Sequence, residues 1–467
     1  MDFTPKFNLN LCIGVGYNLV MRQFLKNNWK ILLILLLAII LRIKLSFMLA
    51  HEDLIIQSGW GKQANIMGSL KGFYDWDVWN NSYPNHPPLI SWLYFIIYPL
   101  HSNLMWFLSS LGNFIALHRL APTKFLWLFD FAKWFGIDKY ETSSILSGII
   151  LILKQFMIWA DLLIGGVIFY VCKKAKVNWK MPVLTYLLLP FSWFLSSAWG
   201  QSDQLSFLFL IIAFILLMSK KYSVMSPIVY AIAANLKPNC ALLLPIFLYV
   251  WYKQKQSFWK LLLGGLVAII FTFWTVSWFT DQNVFVYTFT VLAKRLSTGE
   301  GLINYNAFNF WYIFYPFSRP GVLDTSMYWL LSAKNWGWVM VLISTVLSLK
   351  VIKKNKLESI FAAMFIAGFG SWLFMTGMHE RYSFLAILPL LLFAVYKKKY
   401  LKYFLILSTI YTLNLIIAYW PYEICLEIKR VLELNNFLVA RILSLANLII
   451  YIRIVFLMFR KKYLLRN

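Results

Sequence analysis

Between Leu205 and Met218 the chain reads LSFLFLIIAFILLM, a run with no charged residue, and similar runs recur as ILLILLLAII at 31–40 and LLLGGLVAIIFTFW at 261–274. A helix needs about 20 predominantly apolar residues to cross a hydrocarbon core. Within that core every backbone N–H and C=O must be satisfied inside the segment or in a closed barrel. The short alternating segments of a barrel are missing, so the runs imply helices. The overall balance agrees: 61% of residues are hydrophobic and only 13% charged, too apolar for a water-soluble domain. The first run continues through Arg42 and Lys44 without a small-residue cleavage site, as an uncleaved anchor does. The expectation is one all-α, polytopic membrane domain over 1–467, lodged in the cytoplasmic membrane.

A formal charge of +26 would suit a nucleic-acid binder. Its distribution argues for no nucleic acid and for the lipid bilayer as the partner. The basic clusters at 173–176, 220–221, 253–255, 353–356, 397–399 and 460–462 each follow directly on an apolar run, as in loops held on the cytoplasmic side. Counting crossings with every cluster inside gives about twelve spans and both termini in the cytoplasm. The expected spans are 31–50, 146–172, 181–198, 204–219, 224–237, 240–252, 258–279, 336–352, 358–376, 384–396, 401–420 and 437–459. Those at 224–237 and 240–252 are short for a bilayer, as broken or tilted elements are. Residues 51–145 and 280–335 then form two long outer segments carrying interfacial helices, and long ordered loops are usually functional. An extra pair of spans within 89–136 would preserve the same sidedness.

Four cysteines lie far apart without a CxxC pair, which indicates neither a zinc site nor a disulfide framework. The polar outliers, by contrast, gather on the expected outer face. They are His51-Glu52-Asp53 after the first span, Tyr83-Pro84-Asn85-His86-Pro87-Pro88 later in that loop, Trp199-Gly200-Gln201-Ser202-Asp203 between two spans, Asn306-Ala307-Phe308-Asn309-Phe310-Trp311, and His379-Glu380-Arg381-Tyr382. Three of the five histidines fall in these stretches.

Each admits a bland role beside a chemical one. His379, Arg381 and Tyr382 stand in so short a connection that their neighbours are nearly in lipid, where charge is costly and usually paired or functional; a guanidinium fork there suits a phosphate. Asp53 would be a proton acceptor for a hydroxyl, with His51 and Glu52 as equal rivals on spacing alone. Gln201 and Asp203 suit a polyol, although Asp203 also has the position of an N-cap. His86 lies in a segment that its prolines keep extended. Asp75-Trp76-Asp77 has a DxD form but stands alone, and no metal or other cofactor is expected. Lys154 and Asp161, two turns apart in one span, should face the bundle interior, as a structural ion pair would. Lys237, before Pro238, is a third cation within reach of an anionic headgroup.

Taken in order, an acid in the first loop, the Tyr-Pro-x-x-Pro-Pro-Leu stretch, WGQSD, LKPN, NAFNFW and MHERY resemble the GT-C superfamily of polytopic glycosyltransferases, more narrowly bacterial and archaeal relatives of the GPI and dolichol-pathway mannosyltransferases. The likeness runs from Asp53 to Tyr382. It implies the GT-C fold and transfer of a hexose, mannose or glucose, from a polyprenyl-phosphate-linked donor to a hydroxyl of a glycan, lipid or protein acceptor, with inversion, on the extracytoplasmic side. It also implies that Asp53 is the general base and that His379 and Arg381, with Tyr382 and Lys237, hold the donor phosphate. Glu52, His86, Gln201, Asp203, Asn306 and Asn309 would then line the sugar and acceptor pocket. A transporter or flippase, or a polymerase or ligase of lipid-linked saccharides, is the rival expectation; a transporter tends to show paired half-domains, and no such symmetry stands out.

Overall fold

Prolines and glycines divide the apolar runs into helices, and the computed structural model is nearly all-α. It describes residues 16–47, 51–75, 84–117, 145–294, 301–316, 322–419 and 423–460. In chain order the helices are α1 (Gly16–Ser46), α2 (Glu52–Ile66), α3 (Pro88–Leu117), α4 (Ile145–Lys174), α5 (Lys180–Leu188), α6 (Pro190–Trp193), α7 (Asp203–Leu217), α8 (Ser226–Leu236), α9 (Leu244–Lys253), α10 (Phe258–Ser277), α11 (Val284–Tyr287), α12 (Ala333–Val351), α13 (Leu357–Phe374), α14 (Phe384–Tyr396), α15 (Leu401–Ala418) and α16 (Glu423–Phe459).

Among the described residues five helical stretches are long and apolar enough to cross a membrane: Gly148–Lys174, Phe258–Ser277, Leu357–Phe374, Lys398–Ala418 and Leu426–Phe459. A sixth arises if Lys180–Leu188 and Pro190–Trp199, bent by 55°, count as one broken span. Five or six helices could thus span a membrane, as in an integral membrane protein. The expected count of about twelve is not reached on this criterion, because α7, α8 and α9 have only 15, 11 and 10 residues. Pro238 accounts for one interruption: it forces Lys237 into an extended conformation (φ −152°, ψ 119°) and ends α8 there.

Sequence composition also sorts the helices by depth. Apolar on every side, α13 and α14 are buried almost throughout and form the centre, with α12 and α15 packed on them. By contrast α10 is apolar yet largely exposed, with only 22% of its most apolar stretch buried. The segment expected to form the first outer loop folds as α2 packed on α3, a 30-residue helix with Pro99 inside it. Residues 118–144 lie outside the described residues, so the alternative of an extra pair of spans around 89–136 falls partly outside them. The segment expected to form the second outer loop carries α11, a short helical turn at Trp311–Ile313 and a hairpin of β1 (Met327–Tyr328) with β2 (Leu331–Ser332).

Lys154 and Asp161 do face the interior, both fully buried, but they do not pair with each other. Asp161 Oδ2 accepts from Arg42 Nε at 2.7 Å and from Ser196 Oγ at 3.1 Å, and Oδ1 accepts from the Tyr186 hydroxyl. Arg42 completes its set with the carbonyls of Ala38 and Leu187 and with Ser192 Oγ. Lys154 Nζ donates to Ser46 O at 3.1 Å. The planar fork of Arg42 reaches Asp161 and three further acceptors at once.

Candidate functional site

Asp53 stands in the first turn of α2. His51 caps that helix with extended backbone (φ −68°, ψ 151°), its Nδ1 accepting from Asp53 N at 3.1 Å, so the imidazole fixes the backbone of its neighbour. Glu52 opens α2, and its side chain lies outside the described residues.

The WGQSD stretch is brought against α2 by a change of helix type. Phe194–Trp199 is wound as a π-helix, and Gly200 ends it in the left-handed region (φ 77°, ψ 32°). A Cβ at Gly200 would lie 2.8 Å from both Leu54 Cδ1 and Lys154 Cγ, so glycine serves the turn and the close approach together. Beyond that turn Gln201 Nε2 donates to Asp53 Oδ2 at 2.9 Å. Trp199 lays its ring 4.8 Å from that of His51.

HERY reaches the same place from the other half of the chain. Gly377 (φ 67°) turns the backbone after α13, and His379 leads into a short 3-10 turn at Glu380–Ser383 before α14. Arg381 Nη1 lies 3.4 Å from Asp53 Oδ2 and 3.0 Å from Glu380 Oε1. Its guanidinium carbon stands 5.5 Å over the Trp199 and Tyr382 rings. The hydroxyl of Tyr411 donates to Arg381 O at 3.0 Å, tying the turn to α15. Arg381 Nε is buried without a hydrogen-bond partner, as are Asp203 Oδ2 and Trp199 Nε1.

Behind Tyr382 lies a second ion pair. The extended Lys237 places Nζ 2.5 Å from Asp203 Oδ1 and 4.9 Å over the Tyr382 ring. These groups line a narrow crevice together with Ser206 and Asn239, with room for about one water molecule.

The electrostatics follow from these contacts. Burial opposes ionisation of Asp53, but Arg381 and then His51 hold its carboxyl below the usual carboxylate range. Burial raises Glu380 despite the same arginine. Burial, reinforced by neighbouring cations, pushes His379 and His86 down to about 3, so both are neutral imidazoles at physiological pH. His86 Nδ1 is 2.8 Å from the Tyr94 hydroxyl, with its ring edge-on to Trp60.

Thus Asp53, Gln201 and Arg381 meet directly, with His51, Glu380 and His379 around them and Asp203, Lys237 and Tyr382 adjoining. Asn306 and Asn309 have other roles. Asn306 (φ 59°) pairs its backbone with His379 and accepts from Asn414 Nδ2 at 2.5 Å, while Tyr305 stacks on His379 at 4.9 Å. Asn309 accepts from the N–H groups of Trp311 and Tyr312 and donates to the carbonyls of Trp372 and Met375. It stitches the loop to the end of α13, and none of these bonds reaches Asp53 or Arg381. From Asp75-Trp76-Asp77 onward to residue 83 only Asp75 is described, and among the described residues no cluster of His, Cys, Asp or Glu suits a metal ion.

Sequence reasoning missed three contributors. Glu380 was read as part of a charged turn, yet it is only 2% exposed. Trp199 supplies a ring to both His51 and Arg381, and its place in the WGQSD stretch was the available signal. An aromatic groove of about 410 Å³ is lined by Phe310, Trp311, Phe314, Tyr315, Trp336 and Phe374, the last of these five residues before His379. In a chain that is 19% aromatic such a lining has no distinctive pattern. No protein-family model matches this chain, and no curated protein matches it significantly.

Proposed function

We propose that the chain is a GT-C type membrane glycosyltransferase that moves a hexose, mannose or glucose, from a polyprenyl-phosphate carrier to an acceptor hydroxyl on the extracytoplasmic side. The observation that carries this reading is the division of labour on Arg381: Nη1 faces Asp53, while the buried Nε has no partner. A guanidinium binds phosphate through paired N–H groups, so its unused edge can hold a glycosyl phosphate about one guanidinium's width from a carboxylate.

The reaction then follows. Asp53 takes the proton of the acceptor hydroxyl as that oxygen bonds to the anomeric carbon. The carbon–oxygen bond to the carrier phosphate breaks, and the electron pair leaves on the phosphate, where Arg381 stabilises the growing charge. Asp53 is ionised at neutral pH, as a base must be. The pull of Arg381 weakens its basicity, and a phosphate sharing that guanidinium's charge restores part of it. Gln201 aims the carboxylate, Asp203 and Lys237 offer polar contacts to the sugar and phosphate, and the aromatic groove offers hydrocarbon a dry surface.

Sidedness is supported by helix polarity. The exposed lysines at 353–356 precede α13 and those at 397–399 follow α14, whereas HERY joins the other ends of these two helices. Likewise α7 starts at Asp203 and ends before Lys220. With the lysine loops in the cytoplasm, the cluster opens on the opposite face.

The test is transfer by the purified protein from a panel of synthetic polyprenyl-phosphate hexoses, with the labelled product identified. Asp53→Asn should lower turnover by roughly 10²–10⁴-fold and leave thermal unfolding unchanged. Undiminished turnover would remove Asp53 from the mechanism. Movement of donor across the bilayer with no bond broken would favour a transporter instead.

A further inference from the structure

Arg381 faces two carboxylates through one nitrogen, with Asp53 Oδ2 at 3.4 Å and Glu380 Oε1 at 3.0 Å. The other cation of the cluster, Lys237, is already paired with Asp203 at 2.5 Å. Burial keeps His86 and His379 neutral, so neither adds countercharge, and His51 lies against the other acid, its Nδ1 3.5 Å from Asp53 Oδ2. Tyr382, which also faces the arginine, is an un-ionised phenol, and Tyr411 spends its hydroxyl proton on Arg381 O. One guanidinium therefore stands between two acids before any donor arrives. A glycosyl phosphate would be a third anion on the same cation, in a setting where unpaired charge is strongly disfavoured.

We propose that Glu380 takes up one proton from solvent when the donor's phosphate docks on Arg381, so that donor binding is proton-coupled. This rests on the reading of Arg381 as the phosphate anchor. Of the two acids Glu380 is the one to be neutralised. Its side chain is 3% exposed, Arg381 is its one cationic contact within hydrogen-bond range among the described residues, and His379 Nδ1 stands off at 3.9 Å. Asp53 is 30% exposed and keeps a second donor in Gln201. A protonated Glu380 releases Arg381 from one carboxylate and leaves Asp53 ionised for the acceptor's proton. Burial raises the Glu380 carboxyl, which favours the uptake. Glu380 is thus a positioning and charge-balancing residue, acting through Arg381.

Isothermal titration of the full-length protein in nanodiscs with a short-chain prenyl-phosphate hexose, without acceptor, reads this directly. That ligand is a phosphodiester whose charge is constant from pH 5 to 9. Titrations in two buffers of different ionisation enthalpy count the protons exchanged. The expected result is uptake of about one proton per donor and, on the alkaline side, affinity falling by roughly tenfold per pH unit. Glu380→Gln should bind without uptake and with a flat profile, and Glu380→Asp should restore the uptake. Binding by the wild type with no proton exchanged, or the same uptake in Glu380→Gln, would overturn the inference while leaving the transferase reading intact. Failure of the wild type to bind the donor at all would overturn both.

Discussion

Among the described residues two arginine–aspartate pairs hold charge inside this bundle, and they are built in opposite ways. In the pair between α1 and α4, Arg42 gives all three nitrogens to acceptors, and Asp161 receives Arg42, Tyr186 and Ser196. Both side chains are 0% exposed. In the pair between α2 and the HERY turn, Arg381 shares one nitrogen between two acids at 3.4 and 3.0 Å and leaves Nε unbonded. The first is saturated and contributes to the fold. The second keeps hydrogen-bonding capacity that the protein itself does not use, and buried polar groups left in that condition ask for an explanation. A bound ligand is the one proposed here.

The contrast can be broken at either end, and the largest effect should come from the saturated pair. Arg42→Ala leaves Asp161 buried with its main partner gone, at a cost of about 3–5 kcal/mol. The expected readout is a collapse of folded yield and melting temperature; a stable, active variant would show that the network is dispensable. Arg381→Lys should act on chemistry, because a lysine cannot serve Asp53 and a phosphate through separate nitrogens. Transfer should drop by roughly 10²–10³-fold, measured in single turnover, with melting little changed. Equal loss of melting temperature in both variants would erase the distinction between the two pairs.

The smallest effect concerns pH. His86 and His379 are held near 3 in the fold against an ordinary value of 6.5. The unfolded chain therefore binds protons that the folded site refuses. Stability is full above about pH 6.5 and declines progressively as pH falls toward 3. His86→Gln should flatten part of that decline in melting scans from pH 7 to 5. An unchanged slope would mean that His86 does not contribute to it.

What the sequence disclosed follows from contrast. Against long apolar runs, Asp53, Gln201, Lys237 and Arg381 stand out because lipid tolerates such groups only with partners or purpose, and their grouping was legible without coordinates. The helices were legible too, since α13 and α14 begin and end within about two residues of the expected spans. Long-range partnership was not. Nothing in the one-dimensional pattern links Arg42 to Asp161, and a two-turn spacing made Lys154 the obvious companion although Ser46 receives it. Asn309 shows the converse: a polar residue in an aromatic loop has the look of a ligand contact, yet its amide closes the loop onto α13. Local spacing reports a shared face. Which donor meets which acceptor is decided by packing between segments far apart in the chain.

The most direct measurement is a structure of the protein with a non-transferable prenyl-phosphonate hexose. The account predicts phosphonate oxygens at about 2.7–3.2 Å from Arg381 Nε, with the sugar's anomeric carbon between that group and the Asp53 carboxylate. A phosphonate bound away from Arg381, or a sugar with Asp53 on the same side as the phosphonate, would contradict it.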